Sequence, residues 1–207
     1  MYSEIDELGG KDPYSASKAC TELVSYSYIE SFFQNSFLKN KISTARSGNV
    51  IGGGDYSKNR LLPDIIKSIN SNKTLIVRKP KNIRPWQHVM DPLIGYLKLA
   101  EKQYKKKINN MHHWNFGPNI GSFVSVNEII KIVKKNNKLK SKIKYNQNFF
   151  ETEILKLNSN RAKKHLNWKS KWNLQKSINS VIEWNRQLNK INNARKICEN
   201  QIEEYLK

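Results

Sequence analysis

Apolar side chains along this chain recur at two spacings, and segments of the two kinds alternate. From Asp12 onward, Ala16, Ala19, Leu23, Tyr26 and Phe33 fall at helical intervals, which predicts a long helix to about Phe37. Its start is set locally: Asp12 is an N-cap acceptor, and Pro13 takes the first helical position, where an N–H would be unused. Before it, Met1 to Lys11 is polar, contains Gly9-Gly10 and reads as a loop. Ile42 to Arg46 predicts a short strand broken by Ser47-Gly48-Asn49, with Gly52, Gly53 and Gly54 following. Leu61 to Ile69 is predicted helical, Leu75 to Val77 a strand, and Asp91 to Tyr104 an amphipathic helix. Trp114 to Phe116 reads as a short strand ended by Gly117-Pro118. Ser125, with Glu128 at capping-box spacing, predicts a helix through Val133. Residues 143–157 suggest one or two strands, Leu174 to Leu188 a helix, and Ile191 to Lys207 a further one. Strands and helices are intermixed without an internal repeat, so the predicted class is α/β.

Composition narrows the setting. With 207 residues, 38% hydrophobic, including five Trp, nine Tyr and seven Phe, the chain can bury a core for one domain or parts of two. It has no run of about 18 apolar residues and no charged-then-apolar leader. Cys20 and Cys198 lie far apart, near neither a His pair nor another Cys. That argues against a metal site or a disulfide framework and fits a reducing cytoplasm. Lys and Arg number 37 against 17 Asp and Glu, a net charge of +20. Such a charge attracts phosphates, whether of nucleic acid, an anionic membrane or a nucleotide ligand. The basic residues, among them Lys105 to Lys107, Lys134, Lys135, Lys138 and Lys140, are spread over the whole length. No RNA-binding aromatic motif, helix-turn-helix or zinc finger accompanies them, so compositional bias accounts for the charge better than a nucleic-acid footprint.

Candidate chemistry begins with Tyr14 and Lys18. Four residues apart on a helix, they share one face. An ammonium beside a phenol favours the phenolate, which can then accept a proton from an alcohol under oxidation. The pair alone is a weak signal, because in a lysine-rich chain with nine tyrosines such a spacing arises by chance. Its surroundings carry more. Asp12-Pro13-Tyr14-Ser15-Ala16-Ser17-Lys18, continued by Ala19 to Leu23, resembles the catalytic-helix signature of the extended short-chain dehydrogenases, and Ala45-Arg46-Ser47-Gly48-Asn49-Val50-Ile51-Gly52 resembles their strand-to-loop element. Gly52-Gly53-Gly54-Asp55, Asn59-Arg60-Leu61-Leu62-Pro63-Asp64 and Ile83-Arg84-Pro85-Trp86-Gln87-His88-Val89 are similar to the CDP-glucose 4,6-dehydratase branch, with Trp114-Asn115-Phe116-Gly117-Pro118 a further match.

The resemblance implies the C-terminal part of a Rossmann-type fold plus its small mixed α/β substrate-binding domain. Residues 1–50 would end the NAD-binding domain and carry the catalytic helix. Residues 51–190 would be mainly the substrate-binding region, with a strand near 114–118 returning to the Rossmann sheet, and 191–207 a helical extension. It implies Tyr14 and Lys18 as catalytic residues and, with Arg46, Gly48 and Val50, as contacts to NAD. Asn49, Arg60 and Arg84 would hold the nucleotide sugar, since guanidinium forks bind pyrophosphate oxygens. For Arg78, Arg161, Arg186 and Arg195 a surface role is expected, and His112 and His113 receive none. Trp86 and His88 either line the site or are buried structural aromatics. Gly52 to Gly54 are either a turn or a phosphate cradle. The segment Phe149-Phe150-Glu151-Thr152-Glu153 departs from relatives that carry a basic or His-containing motif there.

No Gly-x-Gly-x-x-Gly occurs in the sequence, and only thirteen residues precede Tyr14. The expectation is therefore a chain that begins mid-domain, exposes an apolar edge and helix faces, is inactive alone, and either uses a complementing N-terminal half or is poorly soluble. A complete enzyme would be a homo-oligomer without a nucleic-acid or membrane partner. Two alternatives stay open: another sugar-nucleotide dehydratase, epimerase or decarboxylase, or a non-catalytic remnant or polyanion-binding protein. Isolated, the chain is predicted not to bind NAD measurably; tight, saturable NAD binding in calorimetry would overturn that expectation.

Overall fold

The computed structural model describes residues 1–36, 39–105, 107–108, 111–144 and 152–207. Its helices are α1 (Pro13–Phe32), α2 (Leu61–Asn70), α3 (Met90–Tyr104), α4 (Val126–Asn136), α5 (Asn160–Leu166), α6 (Leu174–Ile191) and α7 (Ala194–Leu206). The strands are β1 (Thr44–Ser47), β2 (Asn49–Ile51), β3 (Leu75–Val77), β4 (Ile83–His88), β5 (His113–Phe116), β6 (Phe123–Ser125) and β7 (Ser141–Ile143). The helix ends follow local chemistry. Asp12 accepts from the Ser15 amide to start α1, Ser125 and Glu128 close a reciprocal capping box on α4, and Asn173 accepts from the Lys176 amide to start α6. Asn167 and Asn192, in left-handed conformation, end α5 and α6 where glycine is the commoner choice.

Two patches of sheet place the site. β1 pairs in parallel with β5, from Thr44 opposite His113 to Ser47 opposite Phe116. β4 stands between β2, parallel to it, and β6, antiparallel to it, while β3 pairs with β7. β2, β4, β6 and α5 are absent from the pattern of the sequence. Of the stretch 143–157 read as one or two strands, β7 reaches only its first residue, while 145–151 lie outside the described residues. Ile83-Arg84-Pro85-Trp86-Gln87-His88 shows no alternation, because nearly every residue is buried whatever its polarity. The proline is tolerated because β4 changes partner there: β6 flanks Ile83 to Pro85, and β2 flanks Trp86 to His88. The loop expected over Met1 to Lys11 is tied down at Tyr2, whose backbone bridges to Lys156 and Asn158.

Buried apolar residues form two clusters. One joins Ile51, Leu62, Ile65, Trp86, Ile129 and Ile178 of β2, α2, β4, α4 and α6. The other joins Leu99, Trp114, Phe116, Leu166 and Trp168 around β5, α3 and α5. Each fully buried Ile or Leu contributes roughly 2 kcal/mol. α1 differs. It buries only Glu22 and Ile29, and leaves Leu23, Val24, Tyr26, Tyr28 and Phe32 exposed. α7 is better held: Tyr205 packs on Trp172 and donates its hydroxyl to Asp91 Oδ1 at 2.7 Å.

His88 ends β4 with 1% of its surface exposed, its ring 4.6 Å from that of Trp172. Burial, aided by the Lys176 charge and opposed by that of Glu204, pushes its pKa down to about 4. Between the ordinary value of 6.5 and about 4, the unfolded chain takes up a proton that the native chain refuses, so stability falls as pH drops through that window. Asp91, raised by burial, acts with the opposite sign, so the comparison must isolate His88. Urea unfolding at pH 7.5 and pH 5 is predicted to cost the parent about 2 kcal/mol more than His88→Asn. An equal loss in both proteins would contradict this.

Candidate active site

The helix start at Asp12 and Pro13 places Tyr14 and Lys18 in the first two turns of α1. Tyr14 is 72% exposed, and the Lys18 ammonium lies 5.6 Å from its ring centroid, so the pair predicted from spacing is brought together and open to a ligand. One turn beyond Lys18, Glu22 turns inward and anchors the helix. Its two oxygens accept from Arg46 Nε at 2.5 Å and Nη2 at 2.6 Å, a bidentate pair linking α1 to β1. Thr44 Oγ1 donates to the same carboxylate at 3.2 Å, and His113 Nδ1 lies 3.1 Å from it. Burial works against the charge on Glu22, yet the Arg46 fork with Thr44 and His113 holds it below the usual carboxylate range. Arg46, expected at the cofactor, is thus engaged from the protein side. His113 gains a structural partner that its sequence context did not reveal. The trace of this anchor in the sequence was Glu22 itself, an acid at i+4 from Lys18 in a stretch otherwise lacking charge.

β1 and β2 follow one another with Gly48 between them. A Cβ there would stand 2.6 Å from the Pro85 carbonyl oxygen, so only glycine lets this backbone reach β4. Asn49 then faces Trp86 in register and Val50 faces Gln87. After β2 the chain turns through Gly52 to Gly54 into a loop ending at Arg60. Within it, Asp55 accepts from the Ser57 amide at 2.9 Å and pairs with Arg60 at 3.2 Å. Burial opposes the Asp55 charge, but those donors leave its carboxyl below the ordinary range. Arg60 has 65% of its side chain exposed at the N-terminus of α2. Arg84 points inward: its Nη1 donates to the Ile83 carbonyl at 2.9 Å and the Glu153 carbonyl at 3.2 Å, fixing the segment that bridges β4 at Ile154. Arg60 and Arg84 are thus each held by separate partners, one outward and one buried. Trp86 is a buried structural aromatic whose indole donates to the Val124 carbonyl. Of the divergent segment, residues 149–151 lie outside the described residues.

The model of the GDP-mannose 4,6 dehydratase family matches residues 1–181. The chain belongs to this family. Within it, the chain is 37% identical over 190 residues to CDP-glucose 4,6-dehydratase of Salmonella typhimurium, covering 89% of this chain and 53% of that protein. It is 22% identical over 171 residues to CDP-abequose synthase of Salmonella muenchen, covering 82% of this chain and 55% of the relative. The chain spans about half the length of the curated relatives it matches. Among solved structures, UDP-glucose 4-epimerase of Stenotrophomonas maltophila with bound NAD superposes with a TM-score of 0.78 at 16% identity, over 91% of this chain and 59% of that one. The dTDP-glucose 4,6-dehydratase of Bacillus anthracis in complex with NAD gives 0.73 at 20% identity, over 90% and 56%. The fold is that of the extended short-chain dehydrogenases.

The Glu22–Arg46 pair is what holds the family's candidate catalytic helix to β1. Glu22→Gln leaves a partly buried guanidinium without its counter-charge and is predicted to lower stability by about 2 kcal/mol in urea unfolding at pH 7. An unchanged midpoint would show that α1 is held by other contacts.

Proposed function

We propose that this chain forms the catalytic-helix and substrate-binding portion of an NAD-dependent CDP-glucose 4,6-dehydratase, which makes CDP-4-keto-6-deoxyglucose for deoxysugar biosynthesis. The observation that carries the proposal is the 37% identity, sustained over 89% of the chain, to a relative of that name. The site supports it with an exposed Tyr14 beside Lys18 on a helix anchored to β1 through Glu22 and Arg46. Residues 1–50 then end the dinucleotide-binding domain, and 51–190 form the substrate-binding region. β5 returns in parallel beside β1, and 191–207 add α7. No helix of the described residues is long and apolar enough to cross a membrane, and the two cysteines are free and exposed, which suits a reducing cytoplasm.

The residues present fit the nicotinamide end of NAD. Tyr14 and the Lys18 ammonium beside it are open to it, and Gly48 leaves the strand-to-loop turn between β1 and β2 without a side chain. Bound there, NAD would supply the hydride acceptor for C4 of the hexose and the hydride donor for C6. Tyr14, as phenolate, takes the proton of the 4-hydroxyl, and the Lys18 ammonium favours that anion and holds the nicotinamide ribose. The resulting 4-keto group acidifies C5, so that the C5 proton and the C6 hydroxyl leave as water, and a proton returned to C5 as C6 is reduced completes the 4-keto-6-deoxy sugar. Asn49, Arg60 and Arg84 orient the nucleotide sugar, Arg60 by its exposed guanidinium and Arg84 by fixing β4 against the Glu153 segment.

Calorimetry on this chain is expected to show CDP-glucose bound at least about tenfold more tightly than UDP-glucose, dTDP-glucose or GDP-mannose. Equal affinities would remove the cytidine assignment, and a preference for another base would move the chain to a different branch. In an assembly with a dinucleotide-binding half supplied in trans, Tyr14→Phe is expected to cut turnover about 10²- to 10⁴-fold while CDP-glucose affinity stays within about threefold. Parental turnover of that variant would refute the role of Tyr14.

A further inference from the structure

The glycine loop after β2 rests on an aromatic floor. Trp184, on α6, is 5% exposed and lies flat beneath Gly53: a Cβ on that glycine would overlap the indole, meeting Cδ1 at 2.7 Å. Gly54, with φ of +79°, adopts a backbone that side chains rarely accept, and a Cβ on it would come within 3.4 Å of Cη2 of the same ring. The loop therefore has two glycines for two distinct reasons, close approach at Gly53 and backbone sign at Gly54. Both hold the chain against one side chain. The indole is itself fixed from behind. Its Nε1 donates to Cys198 Sγ of α7 at 3.4 Å, and α7 is clamped to α6 by Gln201 donating to the Ser180 carbonyl at 2.9 Å and by Ile197, which is buried. At its far end, among the described residues, the loop is held by polar contacts at the surface, Asp55 to Ser57 and Arg60, and Arg78 to Asn59 at 2.6 Å, before the Arg60 carbonyl accepts from the Asp64 amide to start α2. Trp184 and α7 both lie beyond the residues matched by the family model.

We propose that Trp184 is a positioning residue for the nucleotide-sugar site, setting the Gly52–Arg60 loop from below while α7 holds the indole in place. This rests on the function proposed above, which assigns Arg60 to the nucleotide sugar. A rigid floor under Gly53 determines where the loop leaves β2, and hence where Asp55 and Arg60 stand before a ligand arrives. Preorganisation of this kind raises affinity by removing the ordering cost at binding. The loop's own contacts are exposed and weak, so they cannot supply that rigidity. The signature of the arrangement is that its loss loosens the loop while leaving the apolar cluster around Ile65 and Ile129 intact.

The test is amide hydrogen exchange on the full chain, read at residues 52–59 and at the α2 and α4 amides, followed by calorimetry with CDP-glucose. Trp184→Ala is expected to speed exchange across the loop about tenfold or more while the α2 and α4 amides keep their protection, and Trp184→Phe to stay within about threefold of the parent. Gly53→Ala, which drives a methyl into an intact indole, is expected to loosen the same amides, and the pair Gly53→Ala with Trp184→Leu to recover part of that loss. CDP-glucose affinity should fall about tenfold with Trp184→Ala and with Gly53→Ala, and recover with Trp184→Phe. If Trp184→Ala does not fold, Gly53→Ala decides alone. Loop exchange unchanged in the variants overturns the proposal, as does a loosened loop with undiminished CDP-glucose affinity. A parent that binds no sugar nucleotide, with loop loosening still observed, overturns the function assigned above and leaves the floor under the loop in place.

Discussion

The hydrogen bond from Gln87 Nε2 on β4 to the Phe116 carbonyl at the end of β5, 2.7 Å long and fully buried, connects the strands that carry the candidate site. β5 is paired to β1, and so to Glu22 and α1 through Arg46; β4 is paired to β2, and so to the glycine loop. A buried amide on a central strand would be costly without an acceptor, and the Phe116 carbonyl at the end of β5 supplies one. The constraint extends along β4. Arg84, Trp86 and Gln87 each reach a backbone carbonyl on a different segment: Glu153, Val124 and Phe116. A strand of this kind contributes its apolar burial like any other, and its polar side chains then specify which segments lie beside it.

That explains why the strand was invisible to periodicity. Pattern reading looks for polar residues facing water, and β4 hides Arg84, Gln87 and His88 among apolar neighbours. It also looks for a strand without proline, whereas Pro85 marks the point of a partner change. Elements whose signal is local came through well: Asp12 with Pro13, Ser125 with Glu128, the amphipathic run of α3, and the strand Leu75 to Val77. At the site, Tyr14 and Lys18 were legible because helical spacing fixes their neighbourhood, and the structure puts the ammonium 5.6 Å from the ring. Arg46 and His113 were not, because their common partner Glu22 lies 24 and 91 residues away in sequence. Trp184 beneath Gly53 is a case of the same kind, a contact across 131 residues that no local pattern encodes.

The position of the candidate catalytic pair depends on a polar anchor. α1 presents Leu23, Val24, Tyr26, Tyr28 and Phe32 to solvent, so apolar packing does little to set its direction among the described residues. What sets it is Glu22, one turn past Lys18, gripped by a bidentate guanidinium and flanked by Thr44 and His113. Such a grip is directional. A carboxylate in the fork of an arginine fixes both the distance of the helix from β1 and its rotation about its own axis, which a set of methyl contacts would leave loose. Rotation also sets the direction in which Tyr14 and Lys18, on the same helix, point. The charge of Glu22 and the exposure of Tyr14 are therefore linked through one helix: the buried end supplies orientation, and the open end is left free to meet a ligand.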